Sequence, residues 1–285
     1  MITVLESINL STKYLSEKGI ESPRINAELL LADILNCKRL DLYLAFDKPL
    51  GEQEKQKYRE FIKRRSNFEP YQYITGKEEF YGLEFKVNQK VLIPRPETEI
   101  LVENILNLVD KKRELQILDI ASGSGNIAIA LAVNLASAKL ICTDKSQEAL
   151  EVAKENAERN SVSDRIQFVK HDILKEGLDD FSEFDVIVSN PPYVSKVDYL
   201  TLQREIRDYE PKSALTDDGD GYTFYRAIAV KASRKIRIGG YRFFGCTLWS
   251  DMELLDDQHA SSIAAADTMN DYRLIRSSIC VRPLG

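Results

Sequence analysis

The stretch Ile117-Leu118-Asp119-Ile120-Ala121-Ser122-Gly123-Ser124-Gly125-Asn126-Ile127-Ala128 decides the fold. A hydrophobic, partly β-branched run leads straight into five small residues, and an apolar helix-forming sequence opens directly after them. That order predicts a strand, a tight turn and a helix. Small residues let the backbone approach a ligand, and the first N–H groups of a helix have no intrahelical acceptor. Working outward, strand-like runs recur at 116–120, 139–143, 166–169 and 185–189, with helical segments between them. A helix near 222–236 and a strand near 241–246 continue the alternation. Strands alternating with helices predict an α/β fold, with a mostly parallel sheet covered by helices on both faces.

Upstream the texture is different. The first 75 residues read as helices packed on helices, with Leu5, Ile8 and Leu15 at helical spacing. Ser22-Pro23 predicts a helix start, a hydroxyl cap followed by proline at the first helical position. From there Ile25, Leu29, Leu30, Ala32, Ile34 and Leu35 predict a buried face that runs to Cys37. The stretch 52–65 reads as an amphipathic helix carrying Lys55, Lys57, Arg59, Lys63, Arg64 and Arg65. This is a solvated face or a docking surface for an acidic or RNA-bearing partner. Residues 80–88 alternate and carry aromatic and β-branched side chains, which predicts a hairpin between two domains. Leu92-Ile93-Pro94-Arg95-Pro96-Glu97-Thr98-Glu99 follows, with two prolines and acidic residues placed to open a helix that reaches Leu108. The expected organisation is a helical domain over 1–75, a β-hairpin linker over 76–93 and an α/β domain over 94–285. Its polar, alanine-rich stretch 251–269 reads as a helix.

Composition removes several classes of function. Of 285 residues 44% are hydrophobic, enough for a sizeable core. Thirty-nine basic against 45 acidic residues leave a net charge of −6, which argues against a protein living on nucleic-acid phosphates. No apolar stretch is long enough to span a bilayer, and no secretory signal is visible. The four cysteines, Cys37, Cys142, Cys246 and Cys280, lie far apart and form no Cys-x-x-Cys pair. They read as reduced thiols of a cytoplasmic protein, with no disulfide framework and no metal site. Two histidines leave little room for histidine-based chemistry.

In an open α/β sheet, ligands bind outside the carboxyl ends of the strands. Asp144, 21 residues beyond Gly123, closes the next strand, where an acidic side chain can accept both hydroxyls of an adenosine ribose. Asp172, after the third strand, faces the adenine edge in this reading. Gly123-x-Gly125-x-x-Ala128 also satisfies a dinucleotide fingerprint, so an NAD-dependent dehydrogenase enters consideration. Against it, the Asp119 carboxylate is expected to crowd a pyrophosphate but tolerate a cofactor bearing a positive sulfonium. The buried run Val186-Ile187-Val188-Ser189 ends in Asn190-Pro191-Pro192-Tyr193, at the mouth of the same crevice. Prolines hold the local carbonyls as rigid acceptors, and the Asn side-chain oxygen with a proline carbonyl can accept both N–H bonds of one planar NH2 group. Tyr193 is expected to supply an aromatic wall. Such a clamp suits an amide or exocyclic amine, whose delocalised lone pair must be aimed at a methyl group on a sulfonium. Catalysis of that kind is mostly positioning and electrostatics.

Asn190-Pro191-Pro192-Tyr193 with the turn at 121–125 resembles the S-adenosylmethionine-dependent methyltransferases that modify planar NH2 groups. With Leu92–Glu99, Tyr71-Gln72-Tyr73-Ile74-Thr75-Gly76, Phe80-Tyr81-Gly82 and Tyr209-Glu210-Pro211-x-x-Ala214-Leu215, it resembles the HemK-type release-factor glutamine methyltransferases over roughly residues 20–240. The resemblance implies a Rossmann-like methyltransferase domain after a helical substrate-docking domain and a hairpin linker. It implies S-adenosylmethionine as cofactor and class I peptide chain release factors as protein substrates, methylated on the glutamine of their Gly-Gly-Gln loop. Neither direct nucleic-acid nor membrane binding is expected. Ala121, Ser122, Gly123, Ser124, Gly125, Asp144, Asp172, Ile173 and Asn190 fall on the family's cofactor contacts, and Asn190, Pro191, Pro192 and Tyr193 on its glutamine clamp. Arg95 and Glu97 fall in its signature segment. The chain departs from the family where Ala121 replaces a glycine and where Gly245-Cys246-Thr247 replaces Glu-Ile-Gly. Three readings remain beside the leading one: methylation of an adenine or guanine NH2, cofactor binding without turnover, and the dehydrogenase.

Overall fold

The computed structural model of the protein describes residues 2–245 and 278–281. Cys246 and the helix expected over 251–269 lie outside the described residues. The chain divides into two units, one of 1–77 with Gln203–Tyr209, the other of Glu78–Leu202 with 210–285. Residues 203–209, expected within the α/β domain, thus group with the helical unit instead.

In the helical unit, α1 (Val4–Glu17) starts at a reciprocal cap, in which Thr3 Oγ1 accepts the Glu6 N–H and Glu6 Oε2 accepts the Thr3 N–H. Helix α2 (Pro23–Ile34) has proline in its first turn, but Ser22 makes no side-chain cap. Its backbone is left-handed (φ 47°), and Asn26 instead donates to the carbonyls of Glu21 and Ser22. Of the buried face expected for α2, Leu30 and Ala32 enter the core and Ile34, Leu35 and Cys37 pack against it, whereas Ile25 is 46% exposed; Ala27 and Leu31 are buried in addition. Glu28 is buried beside them because Arg24, Arg39 and Tyr43 all donate to its carboxylate. Helices α3 (Glu52–Ser66) and α4 (Tyr71–Thr75) complete the bundle through Tyr58, Phe61, Ile62 and Ile74. The basic run of α3 is split by burial. Lys57, Arg59 and Lys63 face solvent. Arg64 pairs with Glu69, and Arg65, 4% exposed, bonds Asn26 Oδ1, the Glu69 carbonyl and Glu205.

Strands β1 (Lys77–Phe80) and β2 (Leu83–Lys86) form the hairpin. It turns through Tyr81 (φ 52°) and Gly82 (φ 71°), a pair of left-handed residues that matches strand twist. The rest of the second unit alternates: α5 (Pro96–Leu108), β3 (Gln116–Ile120), α6 (Asn126–Asn134), β4 (Lys139–Asp144), α7 (Gln147–Arg159), β5 (Ile166–Lys170) and β6 (Phe184–Ser189). Then come the short helices α8 (Lys196–Tyr199), α9 (Arg204–Tyr209, part of the helical unit) and α10 (Lys212–Leu215), followed by α11 (Thr223–Ser233), β7 (Ile236–Gly245) and β8 (Ser278–Val281). The sheet runs β5-β4-β3-β6-β7-β8, parallel through β7, with β8 antiparallel at the edge. Strand β7 begins five residues before the expected 241, because pairing with β6 starts at Phe184↔Ile236 and resumes past an irregularity at Val186↔Tyr241. Side chains alternate between the two faces. Ile117, Val186 and Val188 pack with Leu101, Ile105 and the apolar side of α6, whereas Leu118, Ile120 and Ile187 pack with Phe224 and Ile228 of α11. The α/β architecture with helices on both faces is the one the alternation predicts.

Candidate active site

The strand order reverses between β3 and β6, so the crevice above their carboxyl ends is the topological switch point. Register brings the two motifs together there. Ile120 pairs with Ser189 on one side and with Thr143 on the other, so Ala121, Asn190 and Asp144 leave the sheet from three adjacent strands. Side chains fasten these ends. Ser189 Oγ donates to the Ile120 carbonyl at 2.7 Å, Thr143 Oγ1 to the Asp119 carbonyl at 3.2 Å, and the Ser122 N–H to the Thr143 carbonyl at 3.0 Å.

A cavity of about 300 Å³ opens at this point, within the range of small-molecule sites. Ala121, Ser122, Gly123, Ser124, Asp144, Asp172, Ile173, Asn190 and Pro192 all line it. Gly125, Pro191 and Tyr193 do not. Gly125 (φ 78°) lets α6 lie against α7, since a Cβ there would meet Ala153 Cβ and Ile129 Cδ1 at 3.1 Å. Tyr193 is half-buried against the core cluster that holds Phe224 and Ile228 of α11, and Pro191 is buried. His171 does line the cavity, its Nε2 bonded to the Gly177 carbonyl at 2.8 Å and its ring edge-on to Phe181. Asp172 receives the Leu174 N–H at 3.1 Å.

Asp144 links two turns by accepting the Gly123 N–H on Oδ2 at 3.0 Å and the Ser146 N–H on Oδ1 at 2.8 Å. Burial raises its pKa above the ordinary carboxylate value, against the pull of those two N–H groups. Each oxygen keeps a second lone pair for a ligand hydroxyl. Asp119 behaves otherwise than expected. It is fully buried and does not line the cavity, and the Ala128 N–H points to its carboxyl without giving either oxygen a well-formed hydrogen bond. Burial pushes it up to about 8, opposed by the Ala128 N–H and reinforced by the negative charge of Asp144. Burial therefore disfavours its charged form, and since it does not line the cavity, direct crowding of a pyrophosphate is not its role.

Several residues take a role in the site that no local pattern assigns, although Thr98 and Glu210 stand within the motif segments 92–99 and 209–215. Thr98, in the first turn of α5, receives the Asn190 Nδ2–H at 3.2 Å, while Asn190 Oδ1 is buried without a partner. Glu210, 5% exposed, accepts the Ile93 N–H at 3.1 Å and pairs with Arg95, which holds the proline segment as a wall of the cavity. Asn156, wholly buried in α7, receives the Lys86 N–H and donates to the carbonyls of Lys86 and Ser124. In this way it ties the turn to the hairpin. A polar residue at a core position of an amphipathic helix was the one clue available for it.

The donor set fits S-adenosylmethionine. Asp144 suits the ribose diol, Ile173 and Phe224 offer apolar faces for the base, and the first turn of α6 presents the N–H groups of Asn126 and Ile127 to a carboxylate. Comparison with known proteins agrees. The PrmC N-terminal domain family matches residues 6–76, and the methyltransferase small domain family matches residues 96–223. The release factor glutamine methyltransferase of Chlorobaculum tepidum is 39% identical over 287 residues, covering 98% of this chain and 97% of that one. The one from Geobacter sulfurreducens is 41% identical over 239 residues, covering 84% and 82%. Among solved structures, a methyltransferase from Pyrococcus furiosus superposes with a TM-score of 0.47 at 18% identity, over 71% of this chain and 89% of that one. With likeness to the relatives running the length of both units, and with a cavity at the switch point, the chain belongs to the release factor glutamine methyltransferase family and is an S-adenosylmethionine-dependent enzyme.

Proposed function

We propose that the protein methylates the side-chain amide nitrogen of the glutamine in the Gly-Gly-Gln motif of class I peptide chain release factors. The observation that carries this reading is the Asn190 carboxamide. Its NH2 donates one hydrogen bond to Thr98, and its oxygen is a buried acceptor without a partner at the edge of the crevice. An acceptor there suits a substrate that brings N–H donors, and a planar amide is such a substrate. S-adenosylmethionine supplies the methyl group: the N–CH3 bond forms as the S–CH3 bond breaks, S-adenosylhomocysteine leaves, and the amide nitrogen gives up one proton. Asn190 Oδ1, with a carbonyl of the Asn190–Tyr193 segment, would hold both amide protons and aim the nitrogen lone pair at the methyl group. Asp144 and the turn at 121–124 would hold the cofactor, with Asp172 and Ile173 at its base. A glutamine flanked by glycines reaches the crevice on a thin stalk, because neither neighbour has a side chain to strike its walls. The helical unit is the docking module for the rest of the release factor in this proposal, and both proteins meet in the cytoplasm. Among the described residues no helix is long and apolar enough to cross a membrane.

Transfer of labelled methyl from S-adenosylmethionine tests the proposal directly. Whole release factor should be labelled quickly, a short Gly-Gly-Gln peptide slowly, and release factor with asparagine in place of the glutamine hardly at all. Asn190→Ala should lower kcat by roughly 10²–10³ while cofactor affinity, measured by calorimetry, stays within a few-fold. Label appearing in nucleic acid and absent from release factor would overturn the proposal.

A further inference from the structure

A carboxamide has two ends of opposite character, and rotating it by half a turn replaces an acceptor with a donor in the same place. Which end of Asn190 meets a ligand is therefore a property its surroundings must impose. Asn190 belongs to the strand end of β6, 92 residues away in sequence from Thr98. Thr98 is 3% exposed, in the first turn of α5 just after two prolines, where the backbone has little freedom. Its N–H is bonded to the Arg95 carbonyl, and Arg95 in turn is held by Glu210. The Thr98 hydroxyl is thus delivered by a braced segment, 3.2 Å from Asn190 Nδ2. Both residues line the same cavity.

We infer that Thr98 is a positioning residue for methyl transfer: its hydroxyl accepts the Asn190 Nδ2–H and so fixes the plane of the carboxamide, while the N–H donors of the substrate select the oxygen as the end that meets them. The inference rests on the proposed amide substrate. With the carboxamide reversed, its NH2 would confront the substrate NH2, donor against donor, and the buried donors on both sides would be left unpaired. Valine has the shape of threonine without the hydroxyl, so Thr98→Val removes the anchoring hydrogen bond and retains most of the packing. Thr98→Ser keeps the acceptor and loses a methyl.

Three measurements on the full chain test this. In transfer to whole release factor, Thr98→Val should lower kcat about 10- to 100-fold, the scale of losing a supporting hydrogen bond, with cofactor affinity within threefold of wild type. Thr98→Ser should recover most of the rate. In nitrogen-15 spectra, the side-chain amide protons of Asn190, assigned by their loss in Asn190→Ala, should be protected from exchange in wild type and Thr98→Ser and unprotected in Thr98→Val. Wild-type kcat in Thr98→Val overturns the inference, and so does equal protection of the Asn190 amide in all three proteins. A parallel fall of kcat and cofactor affinity in both Thr98 variants would mark a purely structural role and overturn it too. Failure of wild type to label release factor refutes the proposed substrate instead, and the amide-exchange comparison then decides the role of Thr98 by itself.

Discussion

Ala121 stands in the first turn with φ 58°, a left-handed conformation that costs a residue bearing a Cβ about 1–2 kcal/mol. Glycine would escape that strain and give back part of the gain through its freer unfolded chain. Ala121→Gly should therefore stabilise the protein by about 0.5–1 kcal/mol and raise its thermal midpoint by roughly 1–3 °C. A scanning-fluorescence midpoint below wild type would mean that the Ala121 methyl makes packing contacts worth more than the strain. Asp119 makes a second prediction, on pH. Its folded pKa, up to about 8 by burial, lies above the unfolded value of about 3.9, so the folded state holds the extra proton between them. The stability this contributes is fully present below about pH 4 and is lost as pH rises through about 8. Asp144 is shifted in the same direction, so the difference between wild type and Asp119→Asn isolates the one group. Urea unfolding at pH 5, 6.5 and 8 should show wild type losing ground to Asp119→Asn by up to about 1.4 kcal/mol per pH unit. A pH-independent difference would mean that Asp119 stays ionised in the fold.

At the scale of elements, the segment after β6 depends on the turn before α11. Val194 bridges Thr216, the Val194 N–H donates to the Leu215 carbonyl, and the Lys196 N–H to the Gly219 carbonyl. Asp217 organises that turn by accepting the backbone N–H groups of Gly219, Gly221 and Thr223, and these bonds overcome burial to hold its carboxyl below the usual range. At Gly221 (φ 85°) the two segments of chain approach closely, and a Cβ would lie 2.3 Å from the Tyr193 carbonyl oxygen. That oxygen cannot yield without moving the Asn190–Tyr193 segment. Gly221→Ala should cost about 2–4 kcal/mol and lower transfer activity more than cofactor affinity. Wild-type stability in urea together with a wild-type rate would show that the turn slides aside freely.

At the scale of the whole molecule, removing residues 1–77 is a poor test of docking. The same cut strips Gln203–Tyr209 of the partners it has in the helical unit, including Arg65 for Glu205 and the Asn67 carbonyl for Tyr209. Charge reversal on the exposed face of α3 is cleaner. Lys57, Arg59 and Lys63 face solvent there, so their replacement by glutamate leaves the core of the bundle intact. If this face docks the release factor, the triple variant should raise KM for whole release factor about tenfold or more at low salt, with KM for a Gly-Gly-Gln peptide unchanged. An equal change on both substrates, or none on either, would assign the face to solvation only.

What the sequence determined by itself was whatever repeats or sits side by side in the chain. The strand, small-residue turn and helix over 116–128 are legible because their signals are contiguous, and the alternation from 116 to 189 is legible because period two and period 3.6 differ. Asn190 could be placed at a crevice because the run before it is too apolar to be anything but an inner strand. Tertiary structure decided the rest, and the reason is distance along the chain. The Thr98 hydroxyl on Asn190, Glu210 on Arg95 and Asn156 on Ser124 are single hydrogen bonds between distant positions, and one bond leaves no periodicity to read. The same holds for burial at a helix surface. Glu28 rather than Ile25 went inside α2 because Arg39 and Tyr43, more than ten residues on, were there to meet it. Burial raised the pKa of Asp119 for the complementary reason, since the fold closed around its carboxyl without giving either oxygen a well-formed hydrogen bond.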